Sequence, residues 1–140
     1  MVFGGWEARG NRPTTECRWF SIVVTPEVAP WFFPDGRPSR TIAALELLAT
    51  TLCVILFAPE RSPVSSTSMH VTIAFSDNKG NTYAAAKLHT TKFPLSCVVM
   101  ELATQMEQHG LWVALHWLAP IPFSEPTTPY STPTAVFCLK

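Results

Sequence analysis

Two carboxylates stand out by their setting. Glu46 is the only charged residue in the apolar run from Ile42 to Ala58, and Asp77 closes a second apolar run, Val71-Thr72-Ile73-Ala74-Phe75. An unpaired carboxylate in apolar surroundings is costly, so each must be exposed, paired, protonated or bound to a cation. Brought together, a glutamate on a helix and an aspartate at a strand end can hold a divalent cation, because hard Mg²⁺ takes oxygen ligands and keeps part of its water shell. Each residue also has a purely structural reading. Glu46 can serve as an early-helix acid stabilised by the helix dipole. Asp77 opens Asp-Asn-x-Gly, residues 77–80, which is ordinary turn chemistry in which Asx side chains fold back onto the backbone.

The elements that must position these two residues are legible in the pattern. The Ile42–Ala58 run predicts a helix that ends before Pro59, with Ser39 or Thr41 as its cap. At 100° per residue, Glu46 shares a stripe with Ser39, Ala43, Ala49, Thr50 and Cys53, while Leu45, Leu48, Leu52 and Ile55 lie opposite. His70 to Ser76 reads as a strand, and "NTYAAAKLHTT", residues 81–91, has helical composition. A second clear helix follows Pro94, with Leu95, Val98, Val99, Leu102 and Met106 at helical spacing and Gly110 at its exit. "LWVALHWL", residues 111–118, is a strand. Upstream, Val2 to Ala8 predicts a short strand in which Gly4-Gly5 marks a bulge or close backbone approach. "CRWFSIVV", residues 17–24, predicts another strand, and a Pro-rich loop follows in which Trp31, Phe32 and Phe33 cover an edge of the core. The order is strand, strand, helix, strand, helix, helix, strand, which predicts an α/β fold with a mixed sheet and helices packed against it.

Composition narrows the function classes. Ten basic residues balance ten acidic ones, so no overall electrostatic footprint points to nucleic acid or an anionic membrane. Arg9, Arg12 and Arg18 cluster, but read as a solvated loop and strand end. The cysteines at 17, 53, 97 and 138 show no zinc spacing and no C-x-x-C, and Cys53 and Cys97 read as small core residues in a reducing compartment. The first residues lack the basic and apolar regions of a signal peptide. The expected location is therefore intracellular, cytoplasmic or nuclear, and not secreted. The run 42–58 is at the short limit of a membrane span and carries Glu46, so a buried helix is the better reading and a small membrane-associated protein the weaker one. Trp6, Trp19, Trp112 and Trp117 fall on predicted strands and read as core. His116 and His89 read as surface or cleft residues, and Lys79 and Lys87 as a solvated turn and helix face or as phosphate contacts.

Three segments together, "RTIAALELLATTLCVILF" (40–57), "FSDNKGNTYAAAKLHTTKFPLSCVVMELA" (75–103) and "GLWVALHWLAP" (110–120), resemble the ribonuclease H-like domain of reverse-transcriptase retroelements of the DIRS-like, tyrosine-recombinase kind. The resemblance runs from about Val2 to Pro120. It implies a ribonuclease H-like fold over residues 1–119, with Glu46 and Asp77 as catalytic, metal-binding residues. It also implies Mg²⁺ or Mn²⁺ as cofactor and an RNA–DNA hybrid as partner. The reaction implied is hydrolysis of the RNA strand by two metal ions, one helping to form the attacking hydroxide and the other stabilising the leaving oxygen.

The chain departs from the family pattern at both ends. The family's first aspartate lies on a central opening strand that has no counterpart before "VFGGWEA". The last acidic residue belongs to a closing helix, where this chain has "IPFSEPTTPYSTPTAVFCLK"; Glu125 there matches no motif position. Two of the four expected carboxylates are thus missing, and the chain is expected to be a partial domain with little or no nuclease activity alone. Residues 120–140 are expected to be an extended or disordered Pro/Ser/Thr-rich tail. The other reading is a non-catalytic remnant that binds nucleic acid or protein through the same surface.

Overall fold

The computed structural model describes residues 1–7, 14–34, 41–58 and 69–118. The predicted cap Ser39, the residues Arg9, Arg12 and Cys138, and the tail 120–140 lie outside the described residues. The chain is mixed α/β. β1 (Val2–Trp6) pairs antiparallel with β2 (Trp19–Val23), α1 (Ile42–Phe57) follows, and β3 (His70–Ser76) leads through α2 (Lys79–Lys87) and α3 (Leu95–His109) to β4 (Leu111–Trp117). β4 pairs parallel with β3, in a register that sets Ser76 beside Trp117.

A single mixed sheet was the expectation; among the described residues the strands instead form two separate two-stranded sheets. The period of each segment specifies a strand, but pairing is decided by contacts far apart in sequence. α1 links the two halves. It touches β1 on one side and α3 and α2 on others, which explains why its sequence is apolar on nearly every face. Leu45, Leu47, Ala49, Cys53 and Val54 are all fully or almost fully buried. Against β1 the approach is close. A Cβ at Gly5 would run into the sulfur of Cys53 and the ring of Phe20, so the predicted close approach is real and needs glycine there.

Polar contacts fix the ends. Arg18 pairs with the buried Glu7 and donates from Nη2 to the Phe57 carbonyl at 2.9 Å, serving the orphan carbonyls at the end of α1. Thr41 stands at the start of α1, but its hydroxyl donates to the Phe32 carbonyl and ties down the Pro30–Phe32 turn rather than capping the helix. Phe32 is buried and Phe33 half-buried, as expected of that loop, whereas Trp31 is exposed. In α3 the predicted stripe is the buried one, through Val98, Val99, Leu102 and Met106, and Gly110 leaves the helix at φ 62°. α2 ends earlier than composition suggested, at Leu88 with φ 49°.

Two packing expectations are corrected. The tryptophans are not all core: Trp19 is 72% and Trp117 44% exposed, whereas Trp6 is half-buried and Trp112 is half-buried and packed against the core. Two-stranded sheets have too little cover to bury a large ring on both faces. Cys97 is exposed, and among the described cysteines only Cys53 behaves as a core residue. Among the described residues no helix is long and apolar enough to cross a membrane.

Candidate functional site

The site is built where three elements meet. α1 carries Glu46 in its second turn, β3 delivers Asp77 from its C-terminal end, and α2 begins at once with Asn78 as its cap. The Asn78 Oδ1 accepts from Gly80 N at 2.9 Å and from Asn81 N at 3.3 Å, satisfying two of the free donors of the first turn. Its Nδ2 donates to Glu46 Oε2 at 2.7 Å, across 32 positions of sequence. One amide side chain therefore caps α2 and holds the carboxylate of α1. Ser76, buried at the end of β3, accepts from Asn78 N at 3.1 Å and completes the turn.

Glu46 is half-buried and its pKa is raised from the ordinary glutamate value. Burial is the largest cause; the Asn78 hydrogen bond opposes it, and the negative charge of Asp77 adds to it. Glu46 sits beyond the first turn of α1, where no acidic residue falls, so the helix-dipole reading of this residue does not apply. The carboxylate of Asp77 is exposed, and its main-chain carbonyl accepts from Trp117 Nε1 at 3.2 Å. The turn role that local sequence offered to Asp77 belongs to Asn78.

A positive charge stands beside the strand end. The Lys79 Nζ lies 5.3 Å from the centre of the Trp117 ring, a cation–π contact. His116 is exposed, with its ring 5.9 Å from that of Phe75. Among the described residues no group of three or more His, Cys, Asp and Glu is placed to hold a metal ion. The donor set present is two carboxylates, one half-buried and one exposed. That set fits one hydrated divalent ion, which often binds through one or two carboxylates. It does not fit a pair of ions about 4 Å apart.

The bridging role of Asn78 was not read from the sequence. The signal available was Asn78 and Asn81 at helical spacing directly after the strand, where an amide can cap and still reach outward. In comparison with known proteins, no protein-family model matches the chain, and neither a curated protein nor a solved structure is similar to it.

Proposed function

We propose that the chain is a partial ribonuclease H-like domain. In this reading it binds RNA–DNA hybrid through the surface carrying Glu46 and Asp77 and holds one Mg²⁺ or Mn²⁺ weakly. The observation that carries the reading is the 2.7 Å hydrogen bond from Asn78 to Glu46, which joins the helix that carries Glu46 to the residue next to Asp77 at the end of β3. A cation there would relieve both the burial of Glu46 and its repulsion by Asp77. The strand pairing supports the reading as well. An antiparallel pair, a helix, and a parallel pair joined by helices is the arrangement left when the central strand of such a sheet is not among the strands present.

Glu46 and Asp77 would hold the ion, and Asn78 would keep the Glu46 carboxylate oriented. In the family, bound metal lowers the pKa of water and stabilises the leaving oxygen. With two carboxylates the chain supplies half of the set that this chemistry uses, so hydrolysis by the chain alone is expected to be absent or slight. The experiment is a hybrid-cleavage and hybrid-binding assay in Mg²⁺ and in Mn²⁺. Salt-dependent hybrid binding that strengthens with the cation and is weakened by Glu46→Gln is the expected result. Efficient cleavage abolished by Glu46→Gln would overturn the partial-site reading, and hybrid binding indifferent to cation and to Glu46 would overturn the site itself.

A further inference from the structure

Lys79 has a natural partner that it does not take. It stands two residues after Asp77 and is exposed, and its long flexible side chain gives the ammonium reach to that carboxylate. Among the described residues, however, the ion pair joins Arg18 to Glu7, and neither Glu46 nor Asp77 is paired with a basic side chain. The causes acting on the Glu46 carboxyl are burial, the Asn78 hydrogen bond and the charge of Asp77, with no lysine among them. The Lys79 Nζ lies instead 5.3 Å from the centre of the Trp117 ring.

Two forces put it there. Lys79 is the first residue of α2, where the positive end of the helix dipole repels an ammonium and drives it outward. The ring then attracts it, at a separation inside the reach of about 6 Å that cation–π contacts have. The ring is itself fixed. Trp117 pairs with Ser76 in the parallel register of β3 and β4, and Leu118 N continues the ladder to the Ser76 carbonyl at 2.8 Å. The indole Nε1 donates to the Asp77 carbonyl at 3.2 Å, so the ring is tied to the main chain of the very residue whose carboxylate the lysine leaves free. This gives the exposed Trp117 a role that core packing does not.

We propose that Trp117 is a positioning residue for the cation site: it holds the Lys79 ammonium off the carboxylates, so that Glu46 and Asp77 stay open to a hydrated divalent ion. The inference rests on the reading of Glu46 and Asp77 as that site. With two carboxylates as the donor set, an ammonium settled on Asp77 would take half of it and repel the ion from the other half. On the ring, the lysine charge meets the negative face of the indole instead, and both carboxylates keep their oxygens.

The test is Mn²⁺ binding by the full chain, read from the paramagnetic resonance of free Mn²⁺ at about 0.1 M salt. The parent, Trp117→Leu, Lys79→Gln and the double variant are compared. Trp117 is 44% exposed, so leucine there leaves the fold in place, which circular dichroism checks. A lysine charge about 6 Å from a divalent ion in screened water weakens binding about fourfold, and Trp117→Leu should show that loss. Adding Lys79→Gln should restore the affinity to within about twofold of the parent, whereas Lys79→Gln with Trp117 in place should change it by less than about twofold. In proton NMR spectra the Lys79 ε-methylene should be shifted upfield by the ring in the parent and lose that shift in Trp117→Leu. An unshifted methylene in the parent, a loss that Lys79→Gln does not restore, or an equal effect of Lys79→Gln in both backgrounds would each overturn the inference and leave the cation site standing. Mn²⁺ bound only once Lys79 is replaced would overturn it too, because the lysine would then already occupy the carboxylates. Mn²⁺ bound by none of the four proteins would overturn the cation reading itself, and this inference with it.

Discussion

Asn78 offers the sharpest test of how the site is held together. Its side chain makes two contacts with the start of α2 and one with Glu46. Losing an N-cap of this kind costs about 1 kcal/mol. A hydrogen bond to a charged group contributes about 1.5–3 kcal/mol, and the half-exposed position of Glu46 places this one at the lower end, about 1.5 kcal/mol. Asn78→Ala should therefore cost about 2.5 kcal/mol, and Asn78→Ser, which keeps a capping oxygen but cannot reach Glu46, about 1.5 kcal/mol. For a domain of this length those losses correspond to falls in melting temperature of about 9 °C and about 5 °C. The assay is thermal and urea unfolding followed by circular dichroism at pH 7, run as a double-mutant cycle with Glu46→Ala. In the Glu46→Ala background the cost of Asn78→Ser should fall to about 0.3 kcal/mol or less, because the partner is gone. Equal cost in both backgrounds would refute the claim that the bond joins α1 to the strand end. A cost below about 0.5 kcal/mol for Asn78→Ala would refute the cap as well.

Further expectations follow from the same geometry. The raised pKa of Glu46 means that the folded state holds its proton to higher pH than the unfolded state does. Its stabilising effect is complete below the unfolded value of 4.5 and is lost as pH rises through the folded value. Glu46→Gln should therefore be more stable than the parent at pH 7, with the advantage vanishing below about pH 4.5 in urea melts. Leu102 is fully buried in α3, so Leu102→Ala should cost about 3 kcal/mol by the same melts. Burial pushes the Cys53 thiol up, and Cys97 is exposed. In a Cys17→Ser/Cys138→Ser background, Ellman's reagent should label Cys97 at once and Cys53 only on unfolding. Gly5→Ala should lower the melting temperature by several degrees through collision with Cys53 and Phe20, and Cys53→Ala should recover part of the loss.

The sequence was informative wherever a structural choice is local. α3 could be read from its stripe, its start after Pro94 and its exit at Gly110, because those signals act within a few turns. β3 and β4 were equally plain, as uninterrupted apolar runs between breakers. What escaped was non-local. The division into two sheets depends on which strands meet, and an alternating strand does not state its partner. The exposure of Trp19 and Trp117 depends on what covers each sheet face, and ring size alone pointed inward. At the site, Glu46 and Asp77 were visible as unusual charges, yet the residue joining their elements is Asn78. Its type fitted a turn so well that nothing local suggested a second duty. The Oδ1 of Asn81, buried without a hydrogen-bond partner among the described residues, was equally silent, since that state is defined only by the fold around it.

The bare contact between Gly5 and the Cys53 sulfur has a consequence for how the β1–β2 ribbon finds its place. Because no side chain separates strand from helix there, the strand backbone sits in a notch whose floor is one atom of α1. Sliding the ribbon by a residue toward Trp6 would bring a large ring to that atom, and a Cβ at Gly4 would meet the Phe20 carbonyl. The ribbon thus has one seat on α1 rather than a range of them. An enlarged residue at position 53 should not loosen the joint gradually but eject the ribbon from it, leaving α1 to hold the remaining elements alone.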